Sequence, residues 1–296
     1  DGERLTLCVS TQVGCPIRCV FCASGLGGVK RNLEAHEIVE QVLHATNDVA
    51  AHRERGKLVA RPERVGVPAH GPAASRGVAA HLDPGKASLL GGEKRTIGNL
   101  VFMGMGEPLA NYDALVASLR VLSAPWGAGI GTNRITVSTV GLLDKMERFA
   151  EEPVATNLAV SLHASNDEVR ARVIPLLKDV GVDALIAGAV KYRRMTGKDV
   201  TFEYVLLDGV NSGEDHAREL AARVRGTGCK VNLIPHNHVE EIDLHAPSRE
   251  TCERFEAVLA EAGVKCTIRR RRGDDVEAAC GQLRLRHLPE SQPAAP

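Results

Sequence analysis

Short apolar runs rich in β-branched residues alternate along this chain with longer segments of helical period. That alternation constrains the fold more than any other feature. The apolar runs are Leu5–Ser10, Asn99–Met103, Arg134–Thr139, Asn157–Leu162, Val200–Leu206 and Lys230–Ile234, with Lys265–Arg270 as a seventh. Between them the spacing predicts helices over Ala35–Asp48, Tyr112–Leu122, Leu142–Glu151, Val182–Thr196, Gly213–Val224 and Ser248–Ala262. Strands separated by helices pair in parallel, because the crossover needs a dozen or more residues and a helix supplies them. The expected class is α/β with a parallel sheet. Ser248 stands where an N-cap belongs, and Gly263 where a helix stops.

One segment breaks the pattern. Residues 51–97 are rich in Ala, Gly, Pro, His and Arg and show no apolar period. Pro62, Pro68, Pro72 and Pro84 forbid a long helix there. The segment reads as a disordered surface insertion in a core domain spanning 1–288, and 289–296 reads as a frayed tail.

Composition narrows the functional classes. Lys plus Arg number 37 and Asp plus Glu number 37, so bulk charge does not select a nucleic-acid partner and any such contact must be local. Aromatics at 3% are too few for a wide base-stacking surface. No run reaches the roughly 18 apolar residues of a membrane span. The opening Asp1-Gly2-Glu3-Arg4 has neither Met nor the apolar core of a signal peptide, and reads as the start of an N-terminally truncated chain.

Four of the eight cysteines crowd into positions 8–22. That is not a disulfide scaffold; it suits metal or redox chemistry in a reducing, cytoplasmic compartment. Cys15, Cys19 and Cys22 stand in a C-x-x-x-C-x-x-C spacing. Thiolates suit iron–sulfur clusters and zinc. A structural zinc ion wants a closed shell of four ligands, and no fourth Cys or His lies beside the trio, with His36 a conceivable outsider. Three thiolates can hold three irons of a 4Fe-4S cluster and leave the fourth open. Gly25, Gly27 and Gly28 then let the backbone wrap the cluster. A zinc knuckle with a remote fourth ligand is the competing assignment.

The trio after a first strand resembles the radical-SAM signature. Around it, Leu7–Cys15, Phe102-Met103-Gly104-Met105-Gly106-Glu107-Pro108, Ser161-Leu162-His163-Ala164 and Ala279-Cys280-Gly281-Gln282-Leu283 resemble the RlmN/Cfr family of RNA adenine methyltransferases. The resemblance covers nearly the whole chain outside 51–97 and the tail. It implies a partial (β/α)6 TIM-like barrel of the radical-SAM type, with its chemistry at the carboxyl ends of the strands. It implies Cys15, Cys19 and Cys22 as ligands of a 4Fe-4S cluster, with S-adenosylmethionine on the open iron, two molecules per turnover. Gly106 and Glu107 match the contact to the amino group of S-adenosylmethionine. Ser138, Ser161, Leu162, His163 and Asn237 match the remaining contacts. Taken singly, Ser161 could cap a turn and His163 could be a satisfied loop histidine; their shared rim favours binding.

By the same resemblance, Cys280 is the thiol that carries the methyl group, and Cys8 attacks its sulfur to form a disulfide and release product. Cys229, Cys252 and Cys266 keep the ordinary reading of small core residues. The implied substrate is an adenosine of 23S rRNA, with tRNA as a second substrate, methylated at carbon 2. Thr201–Asn211 and Gly273-Asp274-Asp275 look more like the carbon-2 enzymes than the Cfr-like carbon-8 enzymes. A flavodoxin or ferredoxin is the implied electron donor, and the expected state is a monomer.

The departures are specific. The family's N-terminal RNA-recognition domain is absent from this sequence, and Glu3 sits too close to Cys8 to match the family's upstream general-base glutamate. His236-Asn237-His238 replaces more apolar residues. Arg269-Arg270-Arg271-Arg272 reads as a phosphate contact, against the blander reading of a solvated face. Two further alternatives are another radical-SAM enzyme such as a glycyl-radical activase, which needs neither Cys8 nor Cys280, and a zinc-bound RNA-binding module.

Overall fold

The computed structural model describes residues 5–54, 97–269 and 281–283. Strand β1 (Leu5–Cys8) leads into a small hairpin of β2 (Gln12–Gly14) and β3 (Val29–Asn32), then α1 (Ala35–Glu54). There follow β4 (Ile97–Phe102), α2 (Tyr112–Ser123), β5 (Ile135–Thr139), α3 (Leu143–Ala150) and β6 (Asn157–Ser161). The chain continues through α4 (Asp167–Val173), α5 (Val182–Thr196), β7 (Val200–Leu206), α6 (Glu214–Val224), β8 (Lys230–Pro235), α7 (Arg249–Glu261) and β9 (Cys266–Ile268).

Seven strands form one parallel sheet in the order β1-β4-β5-β6-β7-β8-β9, curled into an open half-barrel. The expected α/β class and partial barrel are what is found. Side chains alternate across a strand. Leu100, Phe102, Ile135, Val137, Leu158, Val160, Phe202, Tyr204, Val231 and Leu233 join the helices in the main core. Cys8, Asn99, Ser138, Ser161, Glu203 and Asn232 alternate with them and so line the concave side. Burying a leucine such as Leu119 of α2 or Leu185 of α5 stabilises by about 1.5–3 kcal/mol.

Helix α5 shows why the local pattern is readable. Val182, Leu185, Ile186, Ala189 and Tyr192 recur on one buried face. Asp167 Oδ1 accepts the Val182 amide at 2.7 Å. Gly197 ends the helix at φ 68°, a left-handed conformation that favours glycine. Ser248 Oγ accepts the Thr251 amide as the N-cap of α7, and Gly263 follows that helix at φ 77°.

Some boundaries differ from the sequence expectation. Helix α1 continues to Glu54 and β4 opens at Ile97, so both ends of the 51–97 insertion are regular structure. Residues 55–96 and the 289–296 tail lie outside the described residues. The cysteine loop does not follow β1 directly, because β2 intervenes. The β2–β3 hairpin and α4 are additions: three- and four-residue strands and a seven-residue helix are too short to establish a period. Among the described residues, no helix is long and apolar enough to cross a membrane.

Candidate active site

The cysteine loop is pinched at its base by the hairpin. Gln12 pairs with Asn32 and Gly14 with Val29. The backbones approach so closely that a Cβ on Gly14, already at φ +80°, would lie 2.0 Å from the Gly28 carbonyl oxygen. Within the loop, Arg18 adopts φ 56° and a Cβ on Gly25 would meet Arg18 Cα at 2.8 Å, so the turn closes on itself. Cys15, Cys19 and Cys22 sit near enough for their charges to interact. Burial first, then the neighbouring Cys22 and Glu107, pushes the Cys15 thiol up to about 11. Burial, Cys22 and Cys15 push Cys19 up as well.

The loop after β4 is stitched to the chain just beyond β1. Met105 accepts the amides of Thr11 and Gln12 on its carbonyl, and its own amide donates to Ser10 Oγ at 2.9 Å. Gly106, at φ +109°, leaves no room for a side chain: a Cβ would sit 2.7 Å from Gln12 Cβ. Glu107 donates its amide to Gln12 Oε1 at 2.8 Å. Its carboxylate is 3% exposed and accepts from Leu109 N at 3.1 Å and Val140 N at 2.8 Å. Burial pushes it up to about 7 against those hydrogen bonds and one from Thr139. This carboxylate therefore ties the β4 end to the β5 end.

Ser138 is half-buried on β5, beside Ala159. Ser161, the last residue of β6, pairs with Glu203. Leu162 is buried in the core, and the amides of both Leu162 and His163 donate to the Glu203 carbonyl. His163 holds φ 55°, and its Nδ1 accepts the Val205 amide at 3.0 Å. That bond assigns the proton to Nε2. Burial, then the Arg170 charge, brings its pKa down to about 3. The ring meets Phe21 of the cysteine loop edge-on at 4.8 Å. Asn211 locks this turn, donating to the His163 and Val205 carbonyls and accepting from Leu207 N. On the side chain's Nδ1, His163 is thus the satisfied loop histidine.

The loop after β8 closes the arrangement. His236 Nε2 lies 3.3 Å from the Phe21 carbonyl, which gives this histidine a role that an apolar residue could not fill. Asn237 is half-buried beside it. Gly281 accepts the Ala23 amide at 2.7 Å, Ser24 Oγ donates to Leu283 O at 2.6 Å, and Gln282 Nε2 donates to His238 O at 2.8 Å. Cys280 lies outside the described residues, as do Arg270–Arg272. Cys8 is exposed at the end of β1. Cys229 and Cys252 are buried, as core residues should be, and Cys266 packs against the core.

Two buried charged residues of this rim had no sequence signal. Arg170 of α4 is 1% exposed and donates to the carbonyls of Val140, Ser161 and Leu162. Glu203 is 7% exposed, accepts from Asn232 Nδ2 at 2.7 Å, and is pushed up to about 7 by burial. A charge on a short segment reads as solvent-facing; only the assembled rim shows otherwise.

The residues present fit an iron–sulfur cluster. Three thiols share one tight loop, and raised thiol pKa values mean protons that metal binding must displace. Among the described residues, no three His, Cys, Asp or Glu side chains converge on a single ion. Cluster ligands each take a separate iron and need not converge.

Comparison with known proteins agrees with this geometry. The Radical SAM superfamily matches residues 87–221. The probable dual-specificity RNA methyltransferase RlmN of Dictyoglomus turgidum is 39% identical over 286 residues, 97% of this chain and 70% of that protein. A probable RlmN 3 of Opitutus terrae is 42% identical over 292 residues, 99% of this chain and 69% of that protein. The crystal structure of a radical SAM methyltransferase from Sphaerobacter thermophilus superposes with a TM-score of 0.78 at 42% identity, covering 95% of this chain and 70% of that one. With identity of this order sustained over nearly its full length, the chain belongs to the RlmN family of radical SAM RNA methyltransferases.

Proposed function

We propose that the chain methylates carbon 2 of an adenosine in RNA, in 23S rRNA and also in tRNA, through a methyl-cysteine intermediate. The observation that supports this most is the docking of Gly281 on Ala23 at 2.7 Å, which anchors the segment following Cys280 beside the ligand Cys22. Family membership sets aside the zinc-bound module and the glycyl-radical activase.

Cys15, Cys19 and Cys22 would hold the 4Fe-4S cluster. Gly106, Glu107, Ser138, Ser161, Leu162, His163 and Asn237 would surround S-adenosylmethionine; where their side chains are already bonded, as in Glu107 and His163, the contribution is to the shape of the rim. When bound, cluster and S-adenosylmethionine supply a hydrogen-abstracting radical, with the electron coming from a flavodoxin or ferredoxin. Adenine carbon 2 is electrophilic, so polar transfer from a sulfonium would fail there.

Cys280 would lose its thiol proton and take the methyl group of a first S-adenosylmethionine as a thioether, and a second would supply the radical chemistry when bound. The thiomethyl group would give up one hydrogen atom and its carbon would bond to carbon 2; the adduct would then lose one electron, returned to the cluster, and the proton of carbon 2. Cys8 thiolate would then attack the Cys280 sulfur; the sulfur–carbon bond breaks with its electron pair left on the carbon, a disulfide forms, and that carbon takes up a proton and leaves as the methyl group of the product base. The base must be unstacked to reach this rim. Arg269, exposed after β9, begins the basic run suited to phosphates.

Anaerobic reconstitution tests the proposal. Iron and sulfide in about a 4:4 ratio to protein, cleavage of S-adenosylmethionine and a methyl group mapped to carbon 2 by mass spectrometry are expected. Methylation at carbon 8 overturns the regiochemistry; a chain that takes up no iron overturns the cluster.

A further inference from the structure

We propose that Arg170 is the positioning residue of this site: one guanidinium clamps the ends of β5 and β6 together and holds a fixed positive charge on the helix against which the Cys19 loop docks. The proposal rests on the cluster assignment to Cys15, Cys19 and Cys22.

The clamp is visible in three hydrogen bonds. Nη1 donates to Ser161 O at 2.9 Å and Leu162 O at 2.6 Å, and Nη2 to Val140 O at 2.7 Å. Nε is buried without a partner among the described residues. The acceptors belong to two different strand ends, and Ser161–His163 is the turn in which His163 holds φ 55°. A planar fork is suited to carbonyls that diverge this way.

The charge is placed by α4. The Val20 amide donates to the Val173 carbonyl at 3.1 Å, docking the cysteine loop on this helix. Cys15, Cys19 and Phe21 pack on the apolar cluster that includes Val140, whose carbonyl Arg170 bonds, and Val169 and Val173 of the same helix as Arg170. An arginine does not shed its proton, and a charge buried among neutral carbonyls is costly unless an anion compensates it. Burial brings the Arg170 pKa down to about 10, opposed by Cys19, an anion once it serves as a ligand, and by Asp167. A positive charge beside a thiolate ligand favours the reduced, more negative cluster, so its removal makes reduction harder.

The reconstituted holoenzyme of wild type, Arg170→Gln and Arg170→Lys tests this. The cluster midpoint potential is read by electron paramagnetic resonance titration, and KM and kcat for S-adenosylmethionine cleavage by product formation. Arg170→Gln is expected to shift the potential negative and to raise KM several-fold. Arg170→Lys keeps the charge, so its potential stays near wild type, yet a single ammonium cannot serve three diverging carbonyls and KM still rises. Wild-type potential and KM in Arg170→Gln overturn the proposal. Should that variant fail to fold, wild-type KM in Arg170→Lys overturns the clamp. A loaded wild type with indifferent variants sinks this proposal alone; a wild type without iron and sulfide sinks the cluster assignment and this with it.

Discussion

The carboxylate of Glu107, just past β4, accepts the amide of Val140, just past β5, at 2.8 Å, and its second oxygen accepts from Leu109. A glutamine there must turn its NH2 toward one of those two amides. Glu107→Gln is expected to lower stability by about 1–3 kcal/mol, the scale of a buried donor left unsatisfied. Urea denaturation measures it, with the exposed Glu147→Gln as a near-neutral control. The folded carboxyl sits at about 7 against an ordinary 4.5, so the native state keeps a proton that the unfolded chain releases. The group's contribution is full below pH 4.5 and declines as pH rises toward about 7. The wild-type advantage over Glu107→Gln should narrow across that window.

His163 titrates in the opposite sense. Its folded pKa of about 3 lies below the ordinary 6.5, so the unfolded chain takes up a proton that the native state refuses. Stability from this group is present above pH 6.5 and lost as pH falls toward about 3. Asparagine tolerates φ 55° and does not titrate. His163→Asn should lose less stability than wild type between pH 7 and pH 5 in chemical denaturation. Equal losses would show that this histidine does not govern the acid side.

Two glycines of the cysteine loop should behave oppositely. Gly14→Ala drives a methyl group to 2.0 Å from the Gly28 oxygen at φ +80°, whereas a Cβ on Gly27 meets nothing within 4 Å. Gly14→Ala should cost about 1–3 kcal/mol or more through backbone strain and should reduce iron uptake. Gly27→Ala should be silent in both thermal melts and iron analysis. Normal iron uptake by Gly14→Ala would mean that the hairpin pinch does not shape the loop.

Cys8 and Cys252 separate chemistry from packing. If Cys8 resolves the covalent intermediate, Cys8→Ala should accumulate enzyme joined to RNA, seen as a shifted band on a denaturing gel. Cys252→Ala removes a buried side chain; about 1 kcal/mol of stability should go with release unaffected. Free methylated RNA from Cys8→Ala at the wild-type rate would remove Cys8 from the mechanism.

Patterning among near neighbours was enough for much of this molecule. Val182–Thr196 and Val200–Leu206 are read to the residue, because a 3.6- or 2-residue period and a terminal Gly197 are written within the segment itself. The C-x-x-x-C-x-x-C spacing likewise brings three thiols to one loop. The rest depended on residues far apart in the chain. Arg170 looks like one more surface charge on α4 until Val140, thirty residues away, presents its carbonyl. Glu107 looks like an open acid until the same residue's amide closes over it. Gly281 accepts the Ala23 amide although the two lie at opposite ends of the chain, a contact that no local pattern announces. Hydrogen-bond partners for buried polar groups are supplied by whichever strand ends become neighbours, and that adjacency exists only once the sheet has curled.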